Sequence, residues 1–458
     1  MVNGPGTRTD AKRGGYDTCR RLLPRGFLPL ALCEFWERFS LAGFKSILTL
    51  VLIDHILPDQ HTFGGASWIA ALLEALAGPL TKVGLASQIY GLTNAMLYLS
   101  IPLGGLLGDR LSGRRGAIYV GGLSMFVALA LMIGGRYFLP ALPLFAFGAG
   151  TIKGNLSVLI GQLFGDGVER RRGFAVYLGF LNAGIVCGPL MCGALGLWGG
   201  WRLALGAAAA VIAIGMVGFS FVPKQDAVPE PAAILATAGL RRGKGDISRV
   251  VVTLLALYLC FAAYEQVGNI FLVWARTRVA LRFAGLDIPV AWFVALDGLF
   301  TLALIPLSQL GLKLVAERGV PIDPLGQIAL GCAACALGNL MLVIAEVLYA
   351  DRVPIAAPLG YLLLIDCAIV LVWPAGLSLV VEGAPARLTG FWVGLFYLHG
   401  FFANLWVGFG GVLYERMAPV SFWLLHAAIA AAGALVAGIG GAMRMRDRPH
   451  QEATTTSA

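Results

Sequence analysis

Charge is what this sequence has least of. Of its 458 residues only 13% are Asp, Glu, Lys or Arg, while 58% are hydrophobic. A soluble chain carries roughly a quarter charged residues. So few cannot cover a water-facing surface, which excludes one large soluble core. Lipid as the outer solvent removes that requirement. Strict apolar–polar alternation is also missing, which argues against a transmembrane barrel. No nucleophile–base set, nucleotide loop or metal cluster falls within reach of one site, so the chain does not read as an enzyme, and no cofactor is expected. His55, His61, His399, His426 and His450 are scattered, and only His399 falls near a candidate cavity. A lone helical histidine is more often a packing residue. Basic residues interleaved with aromatics are absent, so the net charge of +9 does not point to nucleic acid. Lys and Arg gathered in cytoplasmic loops account for it more simply.

The eight cysteines are equally uninformative for chemistry. All but Cys19 lie in apolar runs, and Cys332 and Cys335 form a CxxC without polar partners or a second pair. They read as small packing residues at helix contacts. Residues 1–26 are polar and basic, and the apolar run that follows is too long for a cleavable signal.

What is present is a series of long apolar runs. A span needs about 20 mostly apolar residues. Twelve runs meet this: 27–57, 86–109, 116–136, 139–165, 173–197, 201–222, 247–276, 288–316, 324–350, 357–383, 389–416 and 420–444. Basic residues cluster before span 1, between spans 2 and 3, 4 and 5, and 6 and 7, and after span 12. All of these lie on one side if the helices alternate, which predicts cytoplasmic termini. Arg276, Arg278 and Arg282 on the opposite side are a minority. The polar segment 223–246 divides the chain into halves, 27–222 and 247–444, with tails 1–26 and 445–458. "GGLLGDRLSGRRG" (104–116) after span 2 and "GLKLVAERGV" (311–320) after span 8 put an acid beside an arginine at matching points. Together with the six-plus-six layout this indicates duplication. The segment 58–85 contains "ASWIAALLEALAG", which reads as a short surface helix or as a connector with a helical turn.

Ionisable groups inside spans are costly and survive only when paired or facing water. They are Glu34, Glu37, Arg38 and Lys45 in span 1, Lys153 in span 4, Glu265 in span 7, Asp297 in span 8 and Asp366 in span 10. Residues 34, 37, 38, 41 and 45 follow three- and four-residue spacing and share one helix face. Two carboxylates share one permanent cation there, which leaves one of them free to take a proton. The alternative is a static ion cluster. Lys45 is expected to pair with Glu265, and Lys153 with Asp366. Such pairs join the halves, either as a breakable gate or as fixed bridges.

These residues match a known pattern. "EFWERFSLAGFKSIL" (34–48), "YLSIPLGGLLGDRLSGRR", "GAGTIKGNLSVLIGQLF" (148–164), "VYLGFLNAGIVCGP", "YEQVGN", "IPVAWFVALDGLF" and "WPAGLSLVVEGAPAR" resemble the proton-dependent oligopeptide transporters of the major facilitator superfamily. The resemblance implies an all-α membrane protein with twelve transmembrane helices in two six-helix bundles. It implies proton coupling at Glu34, Glu37 and Arg38, an outer gate of Lys45 with Glu265, and Lys153 paired with the span 1 network or a substrate terminus. It implies a substrate site lined by Asn155, Asn182, Tyr90, Asn94 and Tyr98. In the second half the site is implied to take in Glu265, Asp297 and Phe396 at matching places, and Asp366, which lies one turn from the family's position. Asp109, Arg110, Arg114 and Arg115 would lock the cytoplasmic side. The sequence departs from the pattern at Leu41 and Ala42 (tyrosines), Lys45 (arginine), Ile369 (glutamate, with Asp366 one turn earlier), Val294 and Asp297 (Gln and Asn) and Phe396 (tryptophan). It also lacks two extra helices between the halves. The implied function is a proton-driven importer of di- or tripeptides or peptide-like metabolites in the cell membrane. Nothing in the sequence demands a dimer. An exporter, a carrier of non-peptides and a non-transporting sensor remain as other readings.

Overall fold

Backbone inside lipid has no water to bond with, so each crossing segment closes its hydrogen bonds within a helix. The computed structural model describes residue 24 and residues 26–59, 66–110, 113–163, 168–223, 247–283, 285–349, 352–385 and 388–455. Most of the tail 1–26 and the segment between the halves fall outside them. In chain order the elements are α1 (Phe27–Val51), α2 (Ala66–Ala77), α3 (Lys82–Arg110), α4 (Gly113–Ile133), α5 (Phe138–Gln162), α6 (Val168–Trp198), α7 (Trp201–Ser220), α8 (Ile247–Tyr264) and α9 (Ile270–Arg278). A two-stranded hairpin follows, β1 (Arg282–Phe283) and β2 (Leu286–Asp287). Then come α10 (Trp292–Glu317), α11 (Pro324–Leu348), α12 (Ala356–Gly383), α13 (Thr389–Tyr397), α14 (His399–Arg416) and α15 (Pro419–Thr455).

Among the described residues, 11 helical segments are long and apolar enough to cross a membrane. The twelfth span is α3, whose 29 residues are ample in length but more polar. Its polar side chains explain how it is tolerated: Ser87, Thr93, Asn94 and Ser100 are all buried between α14 and α5, away from lipid. The helix α2 exposes Trp68 and Leu72 while burying Ala70, so the segment after span 1 does form a helix.

Two buried apolar clusters organise the bundle. One runs from Phe27 to Val222 and takes in Ala291 and Val407; the other runs from Val250 to Ala437. Small residues set the closest helix approaches, because lipid gives helices no hydrophobic drive to associate. In α6, Gly184 and Gly188 lie one turn apart against the backbone of α1: a Cβ on Gly184 would meet Phe35 O, and one on Gly188 would meet Phe39 O. The CxxC thiols contact backbone, Cys332 against Ala256 O and Cys335 against Cys260 O.

The run 247–276, read from the sequence as one continuous helix, is broken. α8 passes into a single 3-10 stretch at Glu265–Gly268, then Asn269 (φ −131, ψ −96) leads into α9. Hydropathy cannot reveal this because the break lies in apolar surroundings. Polar side chains from neighbouring helices make it tolerable. Asn269 Oδ1 accepts from Thr49 Oγ1 (2.9 Å) and Ser87 Oγ (3.3 Å). Gln266 meets the His426 ring at 3.1 Å, and Trp406 donates to the same ring nitrogen at 3.2 Å. The Tyr90 hydroxyl packs on Gly268. Span 11 is likewise divided between α13 and α14.

With twelve crossings, the start of α1 and the end of α15 lie on one side, the terminal side. Contacts joining the halves gather on the far side. Gly84 N donates to Glu415 Oε2 at 3.1 Å, Gly91 packs on Asn404 and Gly408, and Trp292 Nε1 donates to Leu190 O at 3.0 Å. The molecule is therefore closed on the far side.

Gly188→Val is expected to push α1 and α6 apart and to cost about 1–3 kcal/mol, as overpacking does. Thermal unfolding in detergent should show a lowered midpoint for it. Gly218→Val, where a Cβ meets nothing within 4 Å, should leave the midpoint unchanged.

Candidate functional site

The α1 face predicted from spacing is built around Arg38. Its Nε lies 3.1 Å from Glu34 Oε1 and 2.5 Å from Glu37 Oε2. Glu34, Glu37 and Arg38 are 2%, 0% and 7% exposed, so three charges sit out of water on one helix. The contacts are ionic, and neither Glu37 oxygen has an aligned hydrogen-bond donor. Tyr177 on α6 approaches Glu34. Spacing along α1 had no means of finding this partner on another helix.

Lys153 on α5 completes the group. Its charged neighbours are Arg38, Glu37, Glu34 and Lys45, and its ammonium stands 5.7 Å from the centre of the Tyr98 ring. The expected pair with Asp366 is not formed. Asp366 lies deep on α12, where Thr301 Oγ1 donates to its Oδ1 at 2.7 Å and Asp297 is its charged neighbour. The charged neighbours of this cation lie in its own half, and Asp366 belongs to the other.

Lys45 does face Glu265, but no ion pair joins them among the described residues. Glu265 sits at the break before α9, with Lys45, Asn404, Lys153 and Tyr98 around it. The ion pair that does join the halves on the far side is Asp54 Oδ2 with Arg276 Nη1 at 2.5 Å. Neither residue was singled out for this from the sequence, because both lie at span ends where charge is ordinary. The three basic residues that broke the loop rule each have an acid: Arg276 has Asp54, Arg278 has Glu346 at 3.0 Å, and Arg282 has Asp287 at 3.8 Å.

The remaining candidates divide. Tyr98 borders the charged centre, as does Tyr264, which the sequence did not single out; Tyr264 Oη lies 3.4 Å from Asp297 Oδ1. Asn155 does not line it: its Nδ2 donates to Gly104 O (2.8 Å) and Thr151 O (2.9 Å), clamping α5 to α3. Asn94 and Asn182 spend their amides on backbone carbonyls one turn back, those of Tyr90 and Leu178. Tyr90 braces the break. Phe396 is fully buried, packed on Trp373 and His399 at 5.8 and 5.5 Å, which makes it core rather than lining. Asp109 pairs with Arg114 at 2.6 Å, a link within the first half, while Arg110 is exposed. Arg115 Nη1 reaches Pro223 O at 3.1 Å. No group of three or more His, Cys, Asp or Glu is placed to hold a metal among the described residues. A cavity of about 340 Å³ lies on the far side, lined by Asp54, His55, Trp201 and Arg276 among others. It is apart from the buried charges and contains none of the residues read as substrate-binding.

Two six-helix halves, each with charges facing the gap between them, have counterparts. The profile described as Major Facilitator Superfamily matches residues 59–408. The chain belongs to the Major Facilitator Superfamily. Within it the sequence is similar to "Uncharacterized transporter YclF" of Bacillus subtilis (strain 168), 25% identical over 82% of this chain and 85% of that one. It is also similar to "Peptide transporter YePEPT" of Yersinia enterocolitica subsp. palearctica serotype O:3 (strain YE-P4), 25% identical over 83% and 86%. The fold matches the crystal structure of a peptide transporter POT in complex with sulfate, with a TM-score of 0.76, 22% identity and coverage of 92% and 95%. Within the superfamily, the chain is similar to peptide transporters in sequence and in fold. It is a multi-pass membrane transporter.

Asp54→Asn should loosen the far side. Spin labels on the exposed Leu203 and Leu286 should report a new, longer distance population. The exchanged pair, Asp54→Arg with Arg276→Asp, should restore the single short one. An unchanged distribution in Asp54→Asn would mean that the ion pair does not hold the halves.

Proposed function

We propose that this transporter is a proton-coupled symporter that imports di- or tripeptides, or peptide-like metabolites, by alternating access. It would work in the cell membrane with both termini cytoplasmic, as a monomer, with protons as coupling ion and no cofactor. The observation that carries this reading is Arg38 held between two buried carboxylates. Arg38 is charged at all times, so the cluster changes state through Glu34 or Glu37. Glu37, fully buried and without an aligned donor, is the group best suited to take the proton. Its neutralisation frees Arg38 and Lys153 from one anion, and the half can then rock.

The sign of the charge across the gap supports a zwitterionic cargo. The first half offers Lys45 and Lys153, and the second offers Glu265 and Asp297, all four partly exposed. A short peptide would lie with its carboxylate toward the former and its ammonium toward the latter. The peptide transporter relative supports the same class. A peptide-like but non-peptide cargo is the second reading, favoured by apolar Leu41, Ala42 and Ile369 where peptide carriers of the resembling pattern have polar side chains.

The test is uptake of mixed di- and tripeptides by proteoliposomes under an inward proton gradient. Uptake should collapse with an uncoupler and fall to background in Glu37→Gln. Folded protein that accumulates no peptide would redirect the reading to other cargo, and uptake indifferent to the gradient would end proton coupling.

A further inference from the structure

We propose that Asp297 and Asp366 form a second proton-binding site, separate from Glu34 and Glu37, in which two carboxyl groups hold one proton between them. The proposal rests on the proton-coupled reading for its place in the transport cycle.

The geometry is a carboxyl pair between α10 and α12. Thr301, one turn from Asp297 on α10, donates to Asp366 Oδ1 at 2.7 Å, and Tyr264 Oη donates to Asp297 Oδ1 at 3.4 Å. Each carboxyl is an electrostatic neighbour of the other. Asp366 is 0% exposed and its Oδ2 has no partner. The Tyr361 hydroxyl, also fully buried and without a partner, has both acids as charged neighbours. The remaining groups around Asp297 are Glu265 and Lys45, and around Asp366, Thr301 and Cys367.

The contrast with α1 is what decides the matter. There, Arg38 sits between the carboxylates. Here, among the described residues, no cation is paired with either acid: Lys45 faces Glu265 first and reaches the pair only through Asp297. Two ionised carboxylates side by side in a dry site repel each other without compensation, and such pairs keep one proton. A proton taken up from the gap, with an O–H bond formed on one carboxyl and its hydrogen directed at the other, removes that repulsion and satisfies the orphaned oxygen. Asp297 is partly exposed and Asp366 is sealed, so the proton enters through Asp297. The second half thus carries its own proton store beneath Glu265.

Infrared difference spectroscopy on the full chain in lipid bilayers, with aspartate carboxyls isotopically labelled and pH stepped, reads the pair without any substrate. A protonated-aspartate band should persist at neutral pH, vanish in Asp366→Asn, titrate at a shifted pH in Asp297→Asn, and survive in Glu37→Gln. A wild-type spectrum lacking that band overturns the proposal whether or not the variants fold. A band unchanged in Asp366→Asn, or a titration unmoved in Asp297→Asn, overturns it as well. Failure of peptide uptake would leave the band intact, so the two readings fail separately.

Discussion

A guanidinium that never gives up its proton, buried between two carboxylates on one helix, is the constraint on which the rest of the structure depends. Burying three charges costs several kcal/mol unless geometry repays it. The pair of carboxylates leaves the trio with one negative charge, which draws Lys153 inward across α5 and over the Tyr98 ring. The close seat of α1 against α6 follows, because Arg38 and its partners can be kept dry only if the helices meet at Gly184 and Gly188. Glycine is used at this contact for approach distance rather than for turning.

The second half answers this with acid. Glu265 and Asp297 face the gap with Asp366 buried behind them, and Lys45 stands opposite the first two. Each half is thus out of electrical balance alone, and the imbalance is of opposite sign. This arrangement lets a bound solute, or a proton, change how strongly the halves attract. The far-side closure adds shorter-range contacts, namely Asp54 with Arg276, Gly84 with Glu415 and Trp292 with Leu190.

Much of this was legible in the sequence, and the reasons are specific. The shared face of Glu34, Glu37 and Arg38 depends only on helical periodicity, which is local. The spans depend on apolar length, and even α3 was readable because its polar residues are few and uncharged along most of its course. What failed was long-range or conformational. Lys153 was matched with Asp366 as the nearest spare opposite charge, but in the state closed on the far side each belongs to its own half. Asn155 and Phe396 were assigned to the cavity from the resemblance. Their own helices turn them into packing interfaces, and no single-chain pattern distinguishes the two faces of an apolar helix. The break before Asn269 was hidden because its supports, Thr49, Ser87 and His426, come from other helices.

That break has a further consequence. Its hydrogen-bonding needs are met by side chains of the opposite half, Thr49 and Ser87 among them. If those helices draw apart, Asn269 loses its donors at once, and only water or a rewound helix can replace them. Under the proposed alternating access, opening on the far side would be a hydration event as much as a rotation. It would tie the timing of the swing to the entry of solvent molecules, and make the far side sensitive to water activity in a way that rigid bundles are not.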